Sequence, residues 1–462
     1  MTISPNPLPR PARRGLLPAA PMLAFALPVQ ADSVTDWNAL ASGPVVAPRF
    51  GGPQQQARIM AITSIAVHDA LNSIDRRYEP YNKLPHAAWG ASPNAAVAAA
   101  ARTTLLAMIG ALPPAVPPED VNRALAIQAI EAAYAAAIGP GAPDAAEAAG
   151  IAAGEAAADE ILAQRYAATA TGLVPIDGSG TPNSPPYALP PGLGVHQPTP
   201  APEFPAVTIP AFTGWSAVTP FALHSATRFR APPGKLFKLR SLHYAAEYAF
   251  VKHVGDARVR GGRPNSQASD IPRFWAGGGL DWNANARLVV ANRGLGRWKH
   301  ARLFALLNIA VSDTHVTNME SKYFYNFWRP VTAIRWAHDG NPLTRSDPTW
   351  RPFLQTPPYP DYPCASTGLT GAAAQTLRRF FHTDALPFTR TVNTPALPLP
   401  APLIDLPPKA ITRSYARLTH AENEQALGRV YGGLHFLEGC TAGLRMGNQV
   451  ADWVYARYLR QK

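Results

Sequence analysis

Apolar residues recur at every third or fourth position through most of this 462-residue chain, and this helical period constrains its fold more than any other feature. Patterns that alternate apolar and polar residues, as strands do, are scarce. The 50 prolines lie mainly between the helical runs, where they end helices and stiffen turns. Helices are predicted at residues 57–75, 94–112, 118–138, 144–166, 235–254, 284–294, 298–320, 367–381, 414–427 and 440–458. The sequence therefore predicts an all-α protein.

A stretch rich in proline and glycine, from about residue 172 to residue 233, divides these helical runs. Its segment Pro185-Pro186-Tyr187-Ala188-Leu189-Pro190-Pro191 cannot be a regular helix. Phe204, Phe212 and Trp215 interrupt the stretch, which is typical of an ordered wrap or an interdomain connection rather than a flexible linker. We therefore expect an N-terminal helical domain at 32–215, which includes this connection, and a C-terminal helical domain at 216–462.

The N-terminus has the pattern of a secretory signal peptide. Three arginines precede an apolar stretch from Gly15 to Val29, and Val29-Gln30-Ala31 fits a small-residue cleavage site. The pair Arg13-Arg14 also fits twin-arginine export. Residues 1–31 are thus expected to direct the protein through the Sec or Tat route to the periplasm or out of the cell, an unstructured tail being the alternative. No other run is long and apolar enough to predict a membrane span.

The formal net charge of +12 favours an anionic substrate or a negatively charged surface. Nucleic acid is not the expected partner, because the basic residues are scattered and no zinc-finger spacing or RNA-recognition motif is present. Zinc is not the expected metal either, since the chain has two cysteines and lacks paired histidine spacing. The net charge therefore leaves both an anionic substrate and a negatively charged surface open.

Three separated segments in the C-terminal half carry the residues suited to an anionic substrate. They are Lys322-x6-Arg329-Pro330, Pro363-Cys364-Ala365-Ser366 and Arg429-x3-Gly433-x-His435. Arginine forks and a lysine charge can neutralise several oxygens of phosphate or vanadate, while backbone N–H groups cradle the remainder. An imidazole can then attack or coordinate the central atom. The segments therefore predict an oxyanion site.

The surroundings of the first segment favour a buried site. Lys322 and Arg329 are seven residues apart, so in a continuous helix they would project from one face. Five aromatic residues lie between them, and cations buried in such a segment need an anionic partner. Asp313 and Glu320 are predicted to orient the arginines. His315 would lie on the order of 10 Å further along the same helix, which predicts a core or surface residue outside the site.

The order and spacing of the three segments resemble the superfamily of vanadium-dependent haloperoxidases and type 2 phosphatidic acid phosphatases. The pattern of that superfamily reads K-x6-R-P, then P-S-G-H, then S-R-x3-G-x-H-x3-D. The resemblance implies two helical bundles, with the site in the second bundle. It also implies that vanadium, as vanadate, is held by His435 with the help of Lys322, Arg329 and Arg429. In the phosphatases the corresponding histidine becomes phosphorylated.

The middle segment departs from this pattern. Cys364 stands where the superfamily has serine, and Ser366 stands where it has the acid–base histidine. The backbone N–H groups of Ala365 and Ser366 are expected at a helix N-terminus, where an anion is favoured. A hydroxyl cannot titrate near neutral pH, so we expect oxyanion binding to persist and proton transfer to weaken. Cys364 and Cys440 are predicted either to form a disulfide or to remain buried free thiols.

The function implied by the resemblance is oxidation of halide by hydrogen peroxide at vanadate bound to His435, with halogenation of a small organic acceptor. A phosphatase is the enzymatic alternative, in which His435 would attack a phosphate ester and no vanadate would be needed. A degenerate oxyanion-binding relative with little turnover is the third hypothesis, and Ser366 favours it. The resemblance is also compatible with a homodimer.

Overall fold

The structure is a computed structural model, which describes residues 32–187, 189–199 and 209–462. The predicted signal peptide at 1–31 lies outside the described residues. The helices are α1 Ser33–Ala41, α2 Pro53–Ile74, α3 Pro93–Gly110, α4 Glu119–Ile138, α5 Ala145–Ala163, α6 Leu242–Val254, α7 Ala257–Gly261, α8 Gln267–Phe274, α9 Leu280–Val290, α10 Arg297–Tyr325, α11 Pro330–Arg335, α12 Ala365–Phe381, α13 Leu418–Tyr431 and α14 Leu437–Arg457. No helix among them is long and apolar enough to cross a lipid bilayer.

Two short antiparallel hairpins accompany the helices, so the predicted all-α class is confirmed. Strands β1 (Tyr166–Thr169) and β2 (Gly172–Pro175) form the first hairpin, and β3 (Phe388–Thr394) and β4 (Lys409–Tyr415) form the second. The helix predicted at 414–427 was wrong at its start, because its first two residues belong to β4. Threonines and other β-branched residues recur in both strands of this hairpin and favour extended backbone.

Alanine and glycine allow the N-terminal helices to approach one another closely. On α5, a Cβ at Gly150 would lie 2.3 Å from the carbonyl oxygen of Ser92, and one at Gly154 would lie 2.4 Å from that of Ala96. Any side chain there would force α3 and α5 apart. The start of α5 is fixed by a capping box in which Asp144 and Glu147 each accept from the other's backbone N–H.

The 29-residue helix α10 lies at the centre of the molecule and is buried along most of its length. It packs against α2 on one side and against α12 and α14 on the other. Apolar residues of α2, α3, α5, α10, α12 and α14 belong to one continuous core. Elements from both sides of the predicted boundary at 215/216 therefore share this core, and the division into two domains stays a prediction.

Helices α12 and α14 pack closely against each other near the second and third motif segments. A Cβ at Gly447 would lie 1.9 Å from the carbonyl oxygen of Gly368, and one at Gly443 would lie 2.4 Å from that of Cys364. The two helices can approach this closely only because glycine occupies these positions. The N-terminus of α12 is thereby held beside the N-terminal turns of α14, so the second and third motif segments meet.

Candidate oxyanion site

Lys322 lies in the last turn of α10 and is fully buried. Its Nζ donates to the backbone carbonyl oxygens of Pro360 and Asp361, at 2.7 and 2.9 Å. Burial, followed by the charge of Arg329, lowers the pKa of Lys322 well below its ordinary value. The amine thus fixes the loop that leads into α12, and an anion nearby would stabilise its charged form.

Arg329 comes from a different element, so the arrangement on one face that a continuous helix would give does not arise. Helix α10 ends at Tyr325 because Asn326 adopts the left-handed conformation, with φ of 51°, and Arg329 is the residue before α11. Its Nε donates to the carbonyl oxygen of Tyr359 at 2.8 Å, and its Nη1 to that of Leu434 at 2.9 Å. The guanidinium is therefore held by the two loops that carry the other motif segments.

The third segment joins the end of α13 to the start of α14. Gly433 has φ of 73°, and a Cβ there would lie 2.6 Å from the carbonyl oxygen of Gly255, so only glycine fits this turn. The turn brings His435 to the guanidinium of Arg329, whose Nη1 lies 2.8 Å from the imidazole Nε2. Arg429 is 9% exposed on the last turn of α13. The Gly pair thus places an imidazole beside the buried cation of Arg329.

One carboxylate, that of Asp361, balances this group of cations. It is fully buried, and its Oδ1 lies 2.9 Å from Nδ1 of His435 and 4.0 Å from Nη1 of Arg329. A carboxylate on Nδ1 favours the tautomer that carries its proton there, which leaves the lone pair on Nε2. Asp361 is therefore placed to orient His435.

The carboxylates predicted for this role lie elsewhere, and that prediction was wrong. Asp313 accepts hydrogen bonds from the backbone N–H groups of residues 221–223, at 2.6 to 2.9 Å. Glu320 forms an ion pair with Arg230. Both carboxylates are on α10, but their partners come from the connection that precedes α6. Proximity along the sequence therefore did not identify the partner of the arginines.

Two buried nitrogen atoms in this cluster are available to donate hydrogen bonds to an oxyanion. Arg329 Nη2 and Arg429 Nε have no hydrogen-bond partner within the part of the chain that the structure describes. Buried guanidinium N–H groups are normally satisfied, and a carboxylate-like or phosphate-like oxygen is the partner that suits them. Together with the first N–H groups of α12, they form a donor set that fits a phosphate or vanadate ion.

Comparisons with known proteins agree with this geometry. A family model described as the VCPO second helical-bundle domain matches residues 302–461. The vanadium chloroperoxidase of Curvularia inaequalis is 33% identical over 103 residues, which are 20% of this chain and 16% of that protein. The match to the family model covers about a third of the chain, and it supports the superfamily to which the three motif segments point.

Solved structures extend the likeness over almost the whole chain. The crystal structure of the first bacterial vanadium-dependent iodoperoxidase aligns with a TM-score of 0.70 and 20% identity, covering 93% of this chain and 97% of that one. The holo form of a bacterial vanadium-dependent chloroperoxidase aligns with a TM-score of 0.67 and 16% identity, covering 92% and 97%. Because the sequence identities are low, these alignments show only that the fold is shared.

Against the superfamily pattern, the position four residues after His435 is a further departure. The pattern places Asp there, whereas this chain has Gly439. A Cβ at Gly439 would lie 3.0 Å from Oδ2 of Asp361, so the carboxylate of Asp361 lies next to the space that a side chain at 439 would enter. This missing Asp was the sequence signal that another carboxylate had to contact His435.

The loop before α12 keeps the backbone arrangement expected of it. Cys364 is the N-cap of α12, and its N–H donates to the carbonyl oxygen of Gly439 at 2.9 Å. Ala365 and Ser366 are the first two helical residues, as predicted. Their backbone N–H groups therefore lie at the N-terminal end of the helix, where they have no carbonyl within the helix to donate to.

Both cysteines are buried free thiols, so the disulfide proposed as one alternative is not formed in the structure. Burial by itself would raise the pKa of the Cys364 thiol, but a hydrogen bond with Cys440 and the nearby His435 and Arg429 lower the pKa well below its ordinary value. Burial, followed by the same contact, raises the pKa of Cys440. Cys440 is thus the donor of the pair.

Ser366 is held away from acid–base chemistry by its neighbours on α13. Its Oγ accepts a hydrogen bond from Nε2 of Gln425 at 2.9 Å. Oε1 of Gln425 in turn accepts from Thr370 and from Nε1 of Trp282. This network is neutral throughout, so it satisfies the hydroxyl without providing a proton donor near neutral pH.

His315 does not replace the missing histidine. It is fully buried in α10, and neither ring nitrogen has a hydrogen-bond partner among the described residues. Burial alone lowers the pKa of His315 to about 3, and no charge of the oxyanion site contributes. The prediction of a core residue outside the site is confirmed.

Proposed function

We propose that this protein is a vanadate-dependent haloperoxidase that oxidises halide with hydrogen peroxide at the site formed by Lys322, Arg329, Arg429 and His435. The observation that carries the proposal is the pair of buried, unpartnered guanidinium N–H groups beside a buried imidazole. Vanadate, when bound, supplies a Lewis-acid centre that activates peroxide toward halide. Its oxygens would be held by the guanidinium groups and by the N-terminus of α12.

Because the contact of Asp361 with Nδ1 favours the proton there, His435 would hold the cofactor through Nε2. The cofactor would replace Nη1 of Arg329, which lies 2.8 Å from Nε2 in the structure. Arg329 and Arg429 would neutralise the oxyanion charge in an environment from which water is largely excluded, where electrostatic stabilisation is strongest. Lys322 would act mainly through the loop that it fixes at residues 360 and 361. Together these residues bind and orient an oxyanion.

Known relatives support peroxidase chemistry at the level of the superfamily. The matched curated protein is a chloroperoxidase, and the aligned structures are described as an iodoperoxidase and a chloroperoxidase. Hydrogen peroxide, a halide and a small organic acceptor are the substrates we propose, with the halide left open. Export to the periplasm or the medium is likewise proposed, from the N-terminal pattern alone.

The hydrogen bond from Gln425 to Ser366 favours a second candidate, an oxyanion-binding relative with little turnover. In this candidate the cation cluster binds its ligand, but proton transfer to and from peroxide or a leaving group is slow, because a hydroxyl replaces the acid–base imidazole.

Assays of the purified protein with and without orthovanadate separate these functions. Halide-dependent peroxidation that requires vanadate supports the haloperoxidase. Hydrolysis of a phosphomonoester that vanadate inhibits would instead show the phosphatase. Binding of both anions without either reaction would show the low-turnover relative. Arg429→Ala should abolish whichever activity is found, whereas Arg417→Ala, at the exposed start of the same helix, should leave it intact.

A further inference from the structure

His196 is a buried imidazole for which the site described so far has no use. It belongs to the connection rich in proline and glycine, and it is 1% exposed. Neither ring nitrogen has a hydrogen-bond partner among the described residues. A buried imidazole normally uses at least one nitrogen in a hydrogen bond, so both nitrogens of His196 are available to a ligand.

The backbone fixes His196 alongside the segment that joins the two cations of the first motif. Its N–H donates to the carbonyl oxygen of Asn326 at 2.8 Å, and the N–H of Trp328 donates to that of Gly194 at 2.9 Å. Val195 and Phe327 form an antiparallel bridge between these bonds. The connection is therefore ordered here. It holds His196 next to residues 326–328, the segment that links Lys322 to Arg329.

Aromatic contacts fix the position of the His196 imidazole. The ring of Tyr187 meets that of His196 edge-on, with centroids 5.8 Å apart, and the Tyr187 hydroxyl donates to the His196 carbonyl oxygen at 3.1 Å. Tyr187 also contacts Tyr323, which directly follows Lys322 on α10. These contacts position the imidazole without satisfying its nitrogens.

Two cations of the oxyanion site, Arg329 and Lys322, act electrostatically on His196. Burial first, and then the charges of Arg329 and Lys322, lower the pKa of His196 well below its ordinary value. The imidazole is therefore neutral at neutral pH and keeps one N–H donor. A neutral donor beside two cations can bind an anion without adding to the repulsion between positive charges.

We propose that His196 is a further binding residue of the oxyanion site, whose imidazole N–H donates a hydrogen bond to an oxygen of bound phosphate or vanadate. The proposal rests on the oxyanion site of the proposed function, but it does not depend on which reaction follows. One residue of the site would then come from the connection. His196 would be a second imidazole near the anion, besides His435, in a chain where Ser366 replaces the acid–base histidine of the superfamily pattern.

His315 offers a matched control. It is also buried, and both of its ring nitrogens also lack partners among the residues described. The difference is electrostatic, because burial alone lowers its pKa and neither Lys322 nor Arg329 contributes. The same substitution therefore removes a buried imidazole at both positions, and only at 196 do Arg329 and Lys322 act on that imidazole.

Calorimetric titration of the full chain with phosphate and with orthovanadate tests the proposal at neutral pH. His196→Phe keeps an aromatic ring but removes the donor, and we expect it to weaken the affinity for both anions by about tenfold or more, as for a lost hydrogen bond to a charged group. His196→Gln should retain part of the affinity through its amide N–H. His315→Phe and His315→Gln should leave the affinity unchanged.

Unchanged affinity in His196→Gln and His196→Phe, while the wild type binds, would overturn the proposal and leave the proposed function standing. An equal loss in the variants of His315 would also overturn it, since the effect would then come from the core. If the wild type bound neither anion, the oxyanion site itself would fail. Should His196→Phe not fold, His196→Gln and its counterpart at 315 still decide the question.

Discussion

The two sides of the oxyanion site differ in how much of the superfamily pattern they keep. On the cationic side, Lys322, Arg329, Arg429 and His435 all match the pattern and are buried together. On the side of the α12 loop, Cys364 and Ser366 both depart from it. Holding an oxyanion and moving a proton are thus separable demands, and this chain keeps the residues that the superfamily pattern has for the first.

Physical constraints on the two sides explain the difference. Buried cations destabilise the fold unless a counter-charge and hydrogen bonds compensate them, and here Asp361 is the carboxylate that contacts both Arg329 and His435. A change on the cationic side therefore alters a charge balance. The hydroxyl of Ser366 needs only a hydrogen bond, which Gln425 donates. The loop side could lose its imidazole at little cost in stability.

The largest effect is expected for Asp361→Asn, which removes the counter-charge of the cationic side. We expect the free energy of unfolding to fall by about 3 kcal/mol, as for other broken buried ion pairs. Saturating phosphate should restore more stability to this variant than to the wild type, because the bound anion replaces the lost charge. Urea denaturation with and without phosphate measures both quantities.

Asp452→Asn is the control for that experiment. Asp452 forms an ion pair with Arg379 in which both side chains are substantially exposed. Such a pair contributes less than about 1 kcal/mol, and phosphate should not distinguish the variant from the wild type. Equal losses at 361 and 452 would contradict the view that the cationic side depends on its charge balance.

Arg429→Ala is expected to weaken the affinity for phosphate and vanadate by about tenfold to a hundredfold, in line with a lost hydrogen bond to a charged group. The guanidinium is nearly buried and its Nε has no partner among the described residues, so it is free to bind an anion. Calorimetric titration measures the change, with Arg417→Ala as the control. A folded Arg429→Ala protein with unaltered affinity would remove Arg429 from the site.

Ser366→His tests the loop side by restoring the acid–base residue of the pattern. General acid–base catalysis typically contributes 10²–10⁴-fold, and we expect kcat for peroxidation or phosphate ester hydrolysis to rise by about tenfold, since the new ring must displace Gln425. The affinity for the anion should change less than kcat. Ser366→Asn, which adds size without a titratable proton, should give no gain. An equal gain from both variants would show that acid–base chemistry is not the cause.

The smallest effect concerns the two thiols next to the loop. Since Cys364 and Cys440 are free in the structure, both should react with an alkylating agent after denaturation without reductant. Intact-mass measurement should then show two adducts in protein isolated from an oxidising compartment. A Cys364–Cys440 linkage in a non-reducing peptide map would instead show that the loop is covalently tied to α14.

Local patterns predicted much of this molecule. Helical periodicity placed α2 to α5 within a few residues of their observed ends, and the resemblance to the superfamily implied that His435 and Arg329 would lie together, as they do. The left-handed conformation of Asn326, which ends α10 between Lys322 and Arg329, does not follow from helical periodicity. The hairpin of β3 and β4 was missed because its strands are short and separated by a proline-rich loop.

Residues that enter the site from distant segments could not be predicted in the same way. The carboxylate of Asp361 reaches His435 from a segment 74 positions earlier in the sequence, and only the glycine at 439 hinted that a carboxylate was missing. His196 depends on a bridge between residues 195 and 327. Such contacts are fixed by tertiary packing, which the sequence pattern of either partner does not contain.

Titration of the wild-type protein with orthovanadate, followed by competition with phosphate, tests the central claim most directly. If Lys322, Arg329, Arg429 and His435 form one oxyanion site, each chain should bind a single vanadate, phosphate should displace it, and Arg429→Ala should weaken both anions together while Arg417→Ala does not. A wild-type protein that binds neither anion, or that binds vanadate unaffected by phosphate and by Arg429→Ala, would contradict the account.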